Sequence, residues 1–380
     1  MRYTIFGLLL LCLLACANLN WTAEPDFAGV QKSEKLDFTV DTVLSGLMSP
    51  WGMVWLPNGD MLFTEKNGDL RLYSDGKLHP DPIAGLPEVK VQGQGGLLDI
   101  ELHPEYSRNG WIYLSFSSPP QGNEEGKGAN TTLIRAKLDG HRLVNVERLF
   151  KALPNYNKGQ HFGGRIEFDR EGYLYLSVGD RGGRDEVQNL NSSRGRIYRM
   201  NDDGTVPADN PFVNEEGVWK QMYSYGHRNP QGLALHPETG ELWEHEHGPK
   251  GGDEVNIVRA GKNYGWPTIT YGINYNGTKI TDETAREGME QPITYWVPSI
   301  APCGMDFVED DRYGAWKNNL LVGSLKFRYL KRLEISNNTV THQETLLDGI
   351  GRVRCIRQAP DGFIYISTEG PGLIIRLIPA

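Results

Sequence analysis

"PWGMVWLPNGDMLFTEKNGDLRLYS", residues 50–74, reads as three short strands separated by two turns. Apolar and polar residues alternate, Pro57-Asn58-Gly59 breaks the run, a second run follows, and Asn67-Gly68 turns the chain into a third. Asn-Gly between alternating runs is hairpin chemistry, because both residues tolerate the positive φ of a tight turn. The same shape returns as "GGLLDIELHPEYSRNGWIYLSFS", "GGRIEFDREGYLYLSVGDRG" and "PQGLALHPETGELWEHEHG". It is looser in "CGMDFVEDDRYGAWKNNLLVGSLK" and clean again in "VRCIRQAPDGFIYISTEG", giving six copies at intervals of roughly 45 to 75 residues. Hairpin repeats of this length are the mark of a β-propeller with one four-stranded sheet per repeat. The sequence therefore predicts an all-β, six-bladed β-propeller occupying residues 30–380 as one domain. The strand-like "LDFTVDTV" at 36–43 is expected to pair with the last repeat and close the ring.

Composition agrees. The chain of 380 residues is 39% hydrophobic and 23% charged, with 45 glycines and 22 prolines to supply turns. A formal net charge of −9 and no Lys/Arg stripe argue against a nucleic-acid partner. The first residues, "MRYTIFGLLLLCLLACANLN", carry Arg2, an apolar run too short to span a bilayer comfortably, and Ala15-Cys16-Ala17 as a small-x-small cleavage site. Residues 1–17 are thus expected to be an export signal. "LLAC" is also an imperfect lipobox, so cleavage before Cys16 would give a lipoprotein and the only expected membrane attachment. Either route places the protein outside the cytoplasm, in the periplasm or anchored to the outer membrane. Cys303 and Cys355 remain in the body of the chain, and pairing or two buried thiols are equally open.

Blade starts and connecting loops of a propeller converge on one mouth, so polar residues there are candidates for a site. His161 precedes the third repeat and Asp180 ends it in a Gly-flanked turn; a carboxylate that fixes an imidazole suits a general base. Gln94 occupies the matching place before the second repeat. "YGHRNPQG" brings Arg228 and Asn229 to the start of the fourth, where a guanidinium can polarise a carbonyl. Glu244, Glu246, Asp253 and Glu254 lie around Gly-rich turns and offer hard oxygen ligands of the kind Ca²⁺ takes, although not at EF-hand spacing. His245 and His247 lack zincin spacing and share a face with Trp243. Lys326, with Arg352 and Arg354 two apart on one strand face, forms a pocket for a multiply charged anion or pairs with acidic neighbours.

"GQGGLLDIELHP", "GQHFGGRIEFD", "YGHRNPQGLA", "EHGPKGGDEVNIVRAGKNYGWP" and "GRVRCIRQAPDGFIYISTE" resemble, in this order, the soluble quinoprotein aldose sugar dehydrogenases of the glucose/sorbosone dehydrogenase family. The resemblance implies a propeller that uses pyrroloquinoline quinone (PQQ) and calcium to oxidise aldose sugars to lactones, handing electrons to an external acceptor. It implies that His161 removes the proton of the anomeric hydroxyl, that Asp180 partners it, and that Gln94 and Arg228 contact the reacting quinone carbonyl. Asn229 and Ser299 match cofactor neighbours, Ser299 standing where threonine is usual. Lys326, Arg352 and Arg354 match residues that bind the cofactor's carboxylates. Gly248 and Pro249 match carbonyl ligands of the cofactor's calcium; the Glu254 side chain and Tyr264 carbonyl match a second calcium site. Cys355 replaces a usual aspartate, and the long loops of the glucose enzymes are missing. Two other readings keep the propeller: a calcium-dependent lactone hydrolase, and a non-catalytic binding propeller.

Overall fold

The computed structural model describes residues 25–380, and the expected export signal, with Cys12 and Cys16, lies outside them. Six four-stranded antiparallel sheets follow one another along the chain. Blade 1 comprises Pro50–Trp55, Met61–Glu65, Asp69–Ser74 and Lys77–Leu78; blade 2 comprises Leu97–Leu102, Trp111–Ser118, Asn130–Asp139 and Arg142–Lys151. Blade 3 comprises Ile166–Phe168, Leu174–Val178, Arg196–Met200 and Met222–Tyr225; blade 4 comprises Pro230–Leu235, Leu242–Glu246, Asp253–Ile257 and Thr294–Trp296. Blade 5 comprises Pro302–Phe307, Leu320–Ser324, Leu330–Ser336 and Thr339–Leu346. Blade 6 takes Arg352–Gln358, Ile364–Glu369 and Leu373–Pro379 from the end of the chain and its outer strand, Phe38–Leu44, from the beginning. Phe38 pairs with Pro379 and Thr42 with Ile375, so the expected closing strand seals the ring. Each quoted repeat holds the innermost strand and the next strand of one blade, and the first also holds the third.

Six hydrophobic clusters hold the ring, one at each blade–blade junction. Phe38, Trp316, Leu330 and Ile366 pack blade 5 on blade 6, and Val54, Leu62, Ile100 and Leu114 pack blade 1 on blade 2. The other four junctions repeat the arrangement. Both faces of every sheet are therefore covered, which is why strands such as Leu242–Glu246 are buried at every residue.

The innermost strands crowd the axis, and the sequence provides for it. Three begin Pro-x-Gly, at Pro50, Pro230 and Pro302. At Gly52 a Cβ would stand 2.5 Å from Asp99 Oδ1 of blade 2, and at Gly304, with φ +70°, 2.9 Å from the Arg354 carbonyl of blade 6. Five of the six innermost strands shift register near their first residues, and such bulges re-aim a strand's opening residues.

On the axis itself lies Arg165, 4% exposed. Its guanidinium stacks 3.8 Å over Trp51 of blade 1 and pairs with Asp99 of blade 2 at 3.3 Å. It donates to the Gln231 carbonyl of blade 4 at 2.8 Å, to Cys303 Sγ of blade 5 at 3.5 Å, and to the Arg354 carbonyl of blade 6. One residue of blade 3 thus touches the five other blades. Cys303 and Cys355 are buried free thiols, which decides between the two options left open. Among the described residues no helix is long and apolar enough to cross a membrane.

Candidate active site

Above Arg165 the axis opens into a recess to which every blade contributes. It is lined by Trp51, Gln94, Leu98, Phe162, Gly163, Gln231, His247, Leu325, Arg352 and Arg354. His161 stands at its side, 8% exposed, with φ +56°. A non-glycine residue in this region costs of order 1–3 kcal/mol and persists only where its surroundings hold it. Two bonds do so. The His161 N–H donates to Gln94 Oε1 at 2.7 Å, and its ring Nδ1 meets Asp180 Oδ1 at 2.6 Å.

Asp180 is 1% exposed and fully engaged. Oδ1 also accepts from the Gly182 N–H at 2.7 Å, and Oδ2 accepts from the Trp266 indole Nε1 at 2.9 Å. Burial opposes its charge, but the His161 bond and the nearby charge of Arg228 hold the carboxyl below the ordinary aspartate range. For His161 burial dominates: its pKa falls below that of free imidazole, Asp180 opposing and Arg228 reinforcing the shift. The imidazole is therefore neutral at pH 7. Since Asp180 takes the proton on Nδ1, Nε2 carries the lone pair and is an acceptor.

Arg228 is 6% exposed. Its Nη1 donates to the carbonyls of His247 and Gly248, both at 2.9 Å, and its guanidinium lies 5.4 Å from the Trp266 ring centre. Its carbonyl accepts from the Asp180 N–H at 2.8 Å, so Arg228 and the imidazole–carboxylate pair are one unit. Asn229 Oδ1 accepts from the Gly163 N–H at 3.2 Å. His247 Nε2 meets the Pro302 carbonyl at 2.7 Å, and burial keeps this ring neutral as well.

The opposite side of the recess is basic. Arg352 and Arg354 flank Glu369: Nε of Arg352 at 3.2 Å and Nε of Arg354 at 2.9 Å share its Oε2. Burial resists ionisation of Glu369, yet Arg354 and Arg352 draw its pKa down to about 2. The acidic pairing that the sequence offered as one alternative is present, since one carboxylate lies between the two guanidinium groups and leaves positive charge over. Lys66 adds to it. This half-buried ammonium feels Glu369, Arg354 and Arg352, and burial with the two arginines lowers its pKa.

Other expected residues stand further off. Lys326 is exposed, its ammonium 4.8 Å from the Phe327 ring centre. The Ser299 hydroxyl is committed to Asp253, 2.8 Å from each carboxylate oxygen. Asp253 also accepts from the N–H groups of Gly248, Ile300 and Ala301, so Ser299 supports the Gly248–Pro249 turn from behind. Glu254 lies near Asn256 Nδ2 at 3.4 Å, and the Tyr264 ring stacks on His227 with centres 4.5 Å apart. Found only in the structure are Lys66, Trp266 and Glu369, together with recess-lining residues such as Trp51, Phe162 and Gln231. Glu369 had a signal: Glu65, Glu246, Ser324 and Glu369 each pair with the first residue of the innermost strand, so they occupy one repeat position.

The fit to a flat, polyanionic cofactor is testable on these groups. Trp51, Leu98, Phe162 and Leu325 supply apolar contact, Arg352, Arg354 and Lys66 supply cations, and Gln94 supplies a polar amide. That donor set suits a planar aromatic carrying carboxylates. The Gly248 carbonyl offers hard oxygen beside Arg228.

Fold and recess together define a six-bladed propeller whose mouth sets a carboxylate-bound imidazole beside a basic wall. The chain belongs to the glucose/sorbosone dehydrogenase family, whose model matches residues 47–376. The aldose sugar dehydrogenase YliI of Escherichia coli is 39% identical over 345 residues, covering 90% of this chain and 92% of that protein. The apo crystal structure of the soluble aldose sugar dehydrogenase from Escherichia coli superposes with a TM-score of 0.86 at 37% identity, over 90% of this chain and all of that one. A PQQ-bound aldose sugar dehydrogenase from Streptomyces coelicolor gives a TM-score of 0.72 at 27% identity, over 90% and 98% of the two chains.

Proposed function

We propose that this chain oxidises aldose sugars at the anomeric carbon to lactones, with pyrroloquinoline quinone in the axial recess and His161 as the general base. The observation that carries the reading is the 2.6 Å bond from His161 Nδ1 to Asp180, which leaves Nε2 as an acceptor beside the recess. The relatives' sugar dehydrogenase activity and the PQQ-bound structure of one of them support it. When bound, the quinone supplies a two-electron hydride acceptor.

The chain supplies the rest. His161 Nε2 takes the proton of the anomeric hydroxyl as hydride leaves C1, and Asp180 stabilises the resulting imidazolium. Arg228 stabilises negative charge developing on its side of the recess, and Gln94 orients the reacting carbonyl. Arg352, Arg354 and Lys66 grip carboxylates. The carbonyls of Gly248 and Pro249 would hold a calcium ion acting as Lewis acid. Electrons then pass to an external acceptor, in keeping with export by the N-terminal segment. Protein supplied with PQQ and Ca²⁺ is expected to reduce a redox dye when an aldose is added. Failure across a panel of mono- and disaccharides would overturn the proposal.

A further inference from the structure

Beneath Arg228, away from the recess, a second group of ionisable side chains is sealed inside blade 4. His227 and Glu244 are 0% exposed and Glu246 is 4% exposed. Oε1 of Glu244 and Oε1 of Glu246 lie 3.6 and 3.5 Å from His227 Nδ1. One ligand atom from each of the three residues falls within 4.8 Å of the others.

The remaining atoms are largely satisfied. His227 Nε2 is 2.9 Å from Ser224 Oγ. Glu246 Oε2 accepts from the backbone N–H groups of Arg228 and Asn229. Glu244 Oε1 accepts from Asn256 Nδ2 at 2.8 Å. Left without a hydrogen-bond partner are His227 Nδ1, Glu244 Oε2 and Asn256 Oδ1. The imidazole nitrogen thus stands 3.5 to 3.6 Å from two carboxylate oxygens, longer than an ordinary hydrogen bond. The three ligand atoms surround one point, each within 4.8 Å of the others.

Spacing and charge say what belongs at that point. Four-coordinate nitrogen and oxygen ligands at about 2.0–2.2 Å from a metal lie roughly 3.3–3.6 Å apart, the edge of the tetrahedron. Two buried carboxylates carry two negative charges, of which a protonated His227 would cancel only one, and uncompensated buried charge costs several kcal/mol per ion. A divalent cation cancels that charge. Calcium takes six to eight oxygens, whereas an imidazole nitrogen and a small, closed ligand set favour zinc-type ions.

We propose that His227, Glu244 and Glu246 form an enclosed structural site for a divalent transition-metal ion of the zinc type. This site is separate from calcium at the Gly248 turn, borders Glu254, whose carboxyl feels Glu246 and Glu244, and does not depend on the sugar chemistry. Its role is to pin the 226–229 turn to the second strand of blade 4. Glu246 is both a ligand and the acceptor for the Arg228 and Asn229 N–H groups, so the metal sets the backbone from which Arg228 reaches the recess.

The test is elemental analysis of the full chain, produced without a polyhistidine tag and dialysed exhaustively against a calcium-selective chelator. One equivalent of zinc-type metal per chain is expected to remain. Protein made in cobalt-supplemented minimal medium should show visible ligand-field bands, and Glu244→Gln should lose both metal and bands. Without a cation, the two carboxylates outweigh burial and raise the His227 pKa to about 9, which makes a proton the rival occupant. Metal-free wild type with a doubly protonated His227 in ¹⁵N NMR would overturn the proposal. So would calcium as the sole retained metal, or full retention in Glu244→Gln. If Glu244→Gln fails to fold, the wild-type metal content and cobalt spectrum decide alone.

Discussion

The indole nitrogen of Trp266 holds Asp180: Nε1 donates to Oδ2 at 2.9 Å, while Oδ1 is occupied by His161 and the Gly182 N–H. The carboxylate that sets the imidazole's tautomer is itself fixed from the blade 4 loop. Removing the indole N–H leaves more negative charge for His161, which stabilises the imidazolium and raises its pKa. Trp266→Phe is therefore expected to move the acid limb of the kcat–pH profile upward. A purely structural loss would lower kcat at all pH values without moving the limb.

His161→Ala should bind quinone as the wild type does and lose turnover by about 10²-fold or more, the range for a missing general base. Absorbance titration with PQQ and single-turnover kinetics separate the two effects. Loss of quinone binding would assign His161 to the cofactor instead.

The pH dependence has a definite sign. The proposed base works as neutral imidazole, and burial places its pKa below the free value of 6.5. Activity should therefore persist below pH 6.5 and decline only as His161 takes up a proton, falling with acid and not with alkali. An acid limb above 6.5 in the wild type would contradict the burial that the structure gives this ring.

Arg354→Ala should weaken cofactor affinity before it affects chemistry. Charge-assisted hydrogen bonds contribute about 1.5–3 kcal/mol each, so a roughly 10- to 100-fold rise in the PQQ dissociation constant is expected. At saturating quinone, kcat should fall far less.

Arg165→Met should destabilise the fold by about 3–5 kcal/mol, the usual cost of breaking a buried ion pair by removing one partner. It strands Asp99, whose Oδ2 also accepts the Ile166 N–H. Denaturant unfolding with an unchanged m value would show the loss as a lower midpoint.

Much of this was legible in the sequence, and for a physical reason. Hairpin turns recur in every blade, so the blade count could be read directly, and Pro-x-Gly opens three of the six innermost strands where they crowd the axis. His161 was conspicuous because an imidazole interrupts a Gly-rich blade start, and Asp180 because it ends the same repeat. Trp266 was hidden: a loop tryptophan reads as packing, and only coordinates show its N–H on a carboxylate. Lys66 looked like part of a hairpin turn, since its charged neighbours on the adjoining blade 6 come from the other end of the chain. Ser299 fits a cofactor neighbour by resemblance, but its hydroxyl is bonded to Asp253, a partner that local spacing does not reveal. His227 passed as a turn residue before "RNP", because the two carboxylates around its Nδ1 lie one strand away.

With Arg165 spanning the axis, the propeller is a cup and not a pipe. Under the proposed function, sugar, lactone and an electron carrier would share a single doorway and have to take turns. That geometry favours ping-pong traffic, in which one visitor departs before the next can dock.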